Sequence, residues 1–150
     1  MWAVRAAINR SGWTLVELAI CLALLALLAT LAYPGLRGIV LRIHRSDALT
    51  TLAALQLQQS RYRSNHPAFA TLAQLGIVAT SPGGRYRLQE QAIPSATGFA
   101  VMAIAAGAQA ADLRCSHLLL EVNGEQTRWA SGADATVGND DSDNRRCWGR

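Results

Sequence analysis

Three features of this sequence could do chemistry: a carboxylate inside an apolar stretch, two cysteines flanking a polar tail, and a run of side-chain oxygens at residues 138–144. From Leu15 to Tyr33 the only ionisable side chains are Glu17, Cys21 and Tyr33. A carboxylate in hydrocarbon costs several kcal/mol unless it is protonated or paired, so Glu17 calls for a partner. Cys21 is a small apolar thiol that needs none. Cys115 and Cys147 form no C-x-x-C pair with matching histidines, which argues against zinc and for a disulfide in an oxidising compartment. Gly138, Asn139, Asp140, Asp141, Ser142, Asp143 and Asn144 supply oxygens of the kind that bind calcium, although a solvated loop is the simpler reading. His44, His66 and His117 are far apart and form no cluster. Ser81-Pro82-Gly83-Gly84-Arg85 lacks the ending of a phosphate loop, and no H-E-x-x-H or nucleophile-elbow pattern occurs. No catalytic constellation, metal site or cofactor site is expected, and an enzyme is not.

The elements that must position these groups follow from hydropathy. The chain has 150 residues, 51% of them hydrophobic and 16% charged, which allows one domain and an appendage. The run Leu15–Tyr33 is near the roughly 20 residues that cross a bilayer as a helix. It is too long for the apolar part of a secretory signal, and no A-x-A site closes it. Arg5 and Arg10 before it favour a cytoplasmic N-terminus, whereas Arg37, Arg42 and Arg45 close behind argue the reverse. Beyond the span, Leu36, Ile39, Val40, Ile43, Ala48, Leu52, Leu55 and Tyr62 recur at mostly three- and four-residue steps. Arg37, Arg42, Arg45, Asp47 and Gln59 fall mostly elsewhere, which predicts an amphipathic continuation of the helix. Pro34, followed by Gly35, should kink it, and Ser64-Asn65-His66-Pro67 should stop it.

Tyr86 and Leu88, then Phe99, Val101 and Ile104, then His117 to Val122, then Glu125 to Trp129 read as strands. Asn123-Gly124 is a hairpin signal in which both residues accept positive φ. The expected fold is α+β, a long kinked N-terminal helix packed on a roughly four-stranded antiparallel sheet. The tail, residues 131–146, reads as an irregular loop closed by Cys115 and Cys147. All 14 basic residues are arginine, against 10 acidic residues. After Gly12 the counts are 12 and 10, a net charge of +2, too weak to imply strong nucleic-acid affinity.

Gly12-Trp13-Thr14-Leu15-Val16-Glu17-Leu18 before an apolar helix, with Pro34 at its far end, closely resembles the N-terminal signature of type IV pilins and pseudopilins. Arg45-Ser46-Asp47-Ala48, residues 62–76, Phe99 with Gly107-Ala108-Gln109-Ala110, and Cys115 with Cys147-Trp148 resemble the PilE-like minor pilins. Trp13 stands where phenylalanine is usual. The resemblance implies that residues 1–12 are a leader removed by a prepilin peptidase after Gly12, which leaves Trp13 as an N-methylated N-terminus. Residues 13–33 would be the transmembrane and assembly helix, held in the inner membrane before assembly. Residues 34–150 would be a periplasmic pilin head that includes the amphipathic half of the helix. Glu17 would pair with a neighbouring subunit's terminal amine. The function implied is that of a minor subunit of an extracellular type IV pilus, for adhesion or twitching motility, with other pilins as partners. The alternatives are a competence pilin that binds DNA weakly through Arg85, Arg87, Arg114, Arg128, Arg145 and Arg146, or a type II secretion pseudopilin.

Overall fold

The computed structural model describes residues 14–150; the expected leader, Gly12 and Trp13 lie outside the described residues. Helix α1 spans Leu15–Arg63. Thr14 caps its start, where Oγ1 accepts the Glu17 N–H at 3.2 Å, as short hydroxyl side chains do at N-caps. It ends where expected, with the His66 ring nitrogen 2.8 Å from the Tyr62 carbonyl. The chain divides into two compact units, one ending at Arg37 and the other Gly38–Arg150. In the first, the apolar stretch Leu15–Tyr33 has no buried residue.

The second unit, the head, is a sheet with α1 residues on one face. Strands β1 (Tyr86–Ala92), β2 (Gly98–Ala105), β3 (His117–Asn123) and β4 (Gln126–Gly132) form an antiparallel meander in the order β1-β2-β3-β4. The central strands β2 and β3 are buried on both faces and so read as nearly continuous apolar runs, whereas β1 alternates only at its start. Ala48, Leu52 and Leu55 of α1 pack on Tyr86, Phe99, Val101, Leu118 and Leu120 to form the main core. On the opposite face Ala100, Met102, Leu119 and Ala130 form a second, smaller core closed by Val137.

The β3–β4 turn differs from the sequence reading. Asn123 pairs with Gln126, so the loop is Gly124-Glu125, and Gly124 alone takes positive φ, at 59°. That is the requirement of a type II′ turn, with glycine first, and not of one that needs positive φ twice.

Three side chains tie residues 64–85 to the scaffold. Gln59 uses its amide like a backbone unit, donating to Ala70 O at 2.6 Å and accepting from Ala70 N at 2.9 Å. Asp47 accepts from the Ser81 hydroxyl and from Gly83 N–H at 3.0 Å, which fastens the Ser81–Gly84 turn to α1. Glu90 Oε1 accepts from Leu72 N at 2.6 Å.

The tail corrects the expectation of an irregular loop. Ser131 and Gly132 complete β4, and Asp141–Trp148 form a second helix, α2. Its start is capped by Asp140, whose carboxylate accepts the Asp143 N–H at 2.8 Å; that bond is the first cause holding the Asp140 carboxyl below its usual range. Its end is capped by Gly149 at φ 69°, a left-handed conformation that glycine adopts without strain. The helix was hidden because its eight residues carry three polar acids and amides in the first turn and little apolar periodicity.

Candidate functional site

Glu17 lies in the first turn of α1 and is exposed. The surrounding side chains Leu15, Val16, Leu18 and Ile20 are each at least half exposed. An apolar helix with so little buried is complete only inside lipid or against other helices.

The head has exposed apolar residues of its own, and here the structure overturns the sequence reading of α1. Ile39, Val40 and Ile43, expected to face the sheet, are exposed, as is Leu36 in the first unit. Arg45 and Gln59, expected among the polar positions, are buried at 6% and 1% exposure. The buried set is Arg45, Ala48, Leu52, Leu55 and Gln59, again at three- and four-residue steps. The outward face is then Ile39, Ile43, Ser46, Thr50, Ala54 and Leu57, spaced 4, 3, 4, 4 and 3 with no charge among them. Its hydroxyls are turned inward: Ser46 Oγ donates to Ile43 O at 2.7 Å and Thr50 Oγ1 to Ser46 O at 2.8 Å. What the stripe presents outward is therefore mostly carbon.

Arg45 explains its own burial. Its guanidinium forks onto Asp112, with Nε and Nη2 at 3.0 and 2.8 Å from Oδ2, and Nη1 donates to the Arg146 carbonyl at 2.9 Å. It thus binds a carboxylate and the last turn of α2 at once. Gln109 joins the network, donating to Leu41 O and to the Tyr86 hydroxyl, each at 3.0 Å. Burial pushes the Tyr86 phenol up to about 12, with the Gln109 hydrogen bond opposing. Sequence reasoning missed this network; an arginine recurring in step with Ala48, Leu52 and Leu55 was the available signal.

Cys115 and Cys147 are joined, with Cα atoms 5.5 Å apart. The bond fixes the end of α2 beside the start of β3, and the module it closes covers the outer edge of β4. Asn144 Nδ2 donates to Trp129 O at 2.8 Å, Asn139 N–H to Ser131 O at 3.0 Å, and the Trp148 indole N–H to Ala130 O at 3.2 Å. The Trp129 and Ser131 carbonyls, which would otherwise invite another strand, are thus occupied.

The remaining candidates are dispersed. The oxygens of the 138–144 run serve the fold: Asp140 caps α2, Asn144 Oδ1 accepts from Ser131, and Asp143 accepts from Arg114 at 2.9 Å. His44, His66 and His117 lie on α1, on the loop after it and on β3. His66 stacks on Tyr62 with ring centroids 3.7 Å apart. The six arginines considered for DNA are spread over β1, β4, α2 and the segments before β1 and β3, and half of them are paired. Arg87 is on β1, Arg128 pairs with Glu121 across β3 and β4, and Arg114 and Arg146 both reach Asp143. Arg85 is half-buried and Arg145 is exposed on α2.

A protein-family model described as "Type IV minor pilin ComP, DNA uptake sequence receptor" matches residues 34–119. No curated protein matches the chain. The match begins beyond the apolar stretch and runs through the amphipathic part of α1 to the start of β3.

Proposed function

The chain belongs to the type IV minor pilin family, and on that premise we propose that it is stored in the inner membrane through its N-terminal helix and incorporated into a type IV pilus. In this reading a prepilin peptidase removes residues 1–12, Trp13 becomes the methylated N-terminus, and the head lies in the periplasm before assembly. The observation that carries assembly is the uncharged outward stripe from Ile39 to Leu57. A head with its own core has no internal use for it, and packing against other pilin helices covers it. Glu17 then pairs with the terminal amine of a neighbouring subunit, and Pro34 loosens the helix between span and head. Glu17→Ala is expected to leave membrane insertion unchanged while lowering the amount of protein in sheared filaments at least severalfold; equal recovery of variant and wild type in that fraction would reject the pairing. Adhesion and twitching remain functions of the whole filament to which such a subunit contributes.

A second reading, receipt of DNA by the head, is favoured by one observation: the matched segment lies on the head, and its family is described as a DNA uptake sequence receptor. The head supports only modest electrostatic attraction, with 11 arginines against 9 acidic residues from Gly38 to Arg150, a difference of +2. Arg45, Arg114, Arg128 and Arg146 are already paired. So few free cations supply little affinity, because the electrostatic contribution scales with the number of phosphates neutralised, so any discrimination must come from base contacts or DNA shape. Selection from a random duplex pool with the full chain in detergent is expected to enrich one sequence that still binds at physiological salt. Salt-sensitive binding without enrichment would remove the receptor reading and leave the filament subunit.

A further inference from the structure

At the root of the head, where α1 residues 41–45 meet α2, two exposed arginines, Arg42 and Arg145, have no role in the core or in the uncharged stripe. Arg45 Nη1 donates to the Arg146 carbonyl, and Gln109 donates to Leu41 O, so the last turn of α2 lies against the first turns of α1 in the head. Arg42 is exposed and stands three positions before Arg45, on a neighbouring part of the helix surface. Arg145 is exposed in the same last turn of α2, and the Arg146 side chain is 62% exposed. Neither Arg42 nor Arg145 has a carboxylate within 4 Å among the described residues. The acids near this end are engaged, Asp112 by Arg45 and Asp143 by Arg114 and Arg146, and Asp140 caps the far end of α2. Asp141 is also at that far end, so α2 turns its basic end toward α1.

Arg42 follows Tyr33, the last residue of the apolar stretch, by nine positions (42 minus 33), a reach of no more than ~32 Å even at full extension. A surface tethered so closely to a bilayer meets lipid headgroups at an effective concentration of order millimolar, so a few arginines suffice. Arginines directly after a span also oppose translocation of that side; Arg45 is accounted for by Asp112, and Arg42 is not. We infer that this end of the head, with Arg42 and Arg145 as its free cations and Arg146 beside them, docks on anionic phospholipid headgroups of the membrane in which the subunit is stored. The inference rests on the membrane storage proposed above. Lipid fits better than duplex DNA because the tether to the apolar stretch keeps headgroups at high effective concentration, whereas a free duplex must be captured by a patch of few cations.

The test uses the full chain in nanodiscs of phosphatidylcholine, alone or with about 30% phosphatidylglycerol, and reads hydrogen exchange of the α2 amides. Exchange is expected to be about tenfold slower in the anionic discs, and the difference should vanish at about 0.5 M salt. It should also vanish in the Arg42→Gln, Arg145→Gln double variant and persist in Arg87→Gln, a change on β1. Equal exchange in the two discs overturns the docking. So does protection by an added DNA duplex in neutral discs without any by anionic lipid, which would assign these arginines to nucleic acid. A chain that does not co-purify with discs at all contradicts the storage reading itself, and the docking with it.

Discussion

Replacing Arg45 by alanine is expected to lower the stability of the head by about 3–5 kcal/mol, the range for removing one member of a buried ion pair. The size follows from what is left behind. Asp112 keeps its carboxylate in a site where its side chain is only 12% exposed, and the Arg146 carbonyl loses its donor. Hydrophobic replacement of both partners should behave differently, since a buried pair often repays little of its desolvation. Arg45→Met with Asp112→Leu is therefore expected to cost clearly less than Arg45→Ala alone. Denaturant unfolding followed by tryptophan fluorescence measures both, because Trp129 and Trp148 pack edge to face with centroids 4.7 Å apart. A loss below about 1 kcal/mol for Arg45→Ala would mean that the pair is not the buried anchor described here.

The second large effect is expected from Cys115→Ser with Cys147→Ser. Chain entropy for a loop whose ends are separated by 32 in sequence gives roughly 3–4 kcal/mol, a model-dependent figure. The loss should appear as lower stability, not as a missing helix, because α2 has other attachments. Trp148 is packed in the core, Asn144 holds Trp129 O and Ser131, and Arg45 holds Arg146 O. Hydrogen exchange in the double-serine variant should therefore still show α2 protected under native conditions. An unprotected α2 and an exposed β4 edge would show instead that the disulfide alone holds the module. Either outcome matters for handling the protein, because the uncovered Trp129–Ser131 edge could accept another strand.

Much of the architecture was legible because it depends on long, simple patterns. The apolar stretch, the stop after Arg63 and four antiparallel strands each leave a signal of several residues, and Cys115 with Cys147 left two cysteines for one bond. Where the reading failed, a polar residue was used in a way that composition conceals. Arg45 and Gln59 look like solvent positions, yet each is buried by finding a complete set of partners, Asp112 with α2 carbonyls in one case and the Ala70 peptide in the other. Assigning them to the polar side turned the helix so that Ile39, Val40 and Ile43 were placed inward. The same error hid the uncharged outward stripe from Ile39 to Leu57, on which the proposed packing against other subunits rests. Residues 131–146 looked irregular because α2 is held by its cap, its disulfide and one tryptophan, none of which repeats.

The roles proposed for Glu17, Trp13 and residues 1–12 belong to membrane storage and filament assembly. The most direct test of the central reading is the intact mass of this chain recovered from filaments sheared off the cell surface. The expected result is a sub-stoichiometric subunit that begins at Trp13 and carries one N-terminal methyl group. A chain that is absent from the filaments and retains Met1 in the membrane fraction would contradict it.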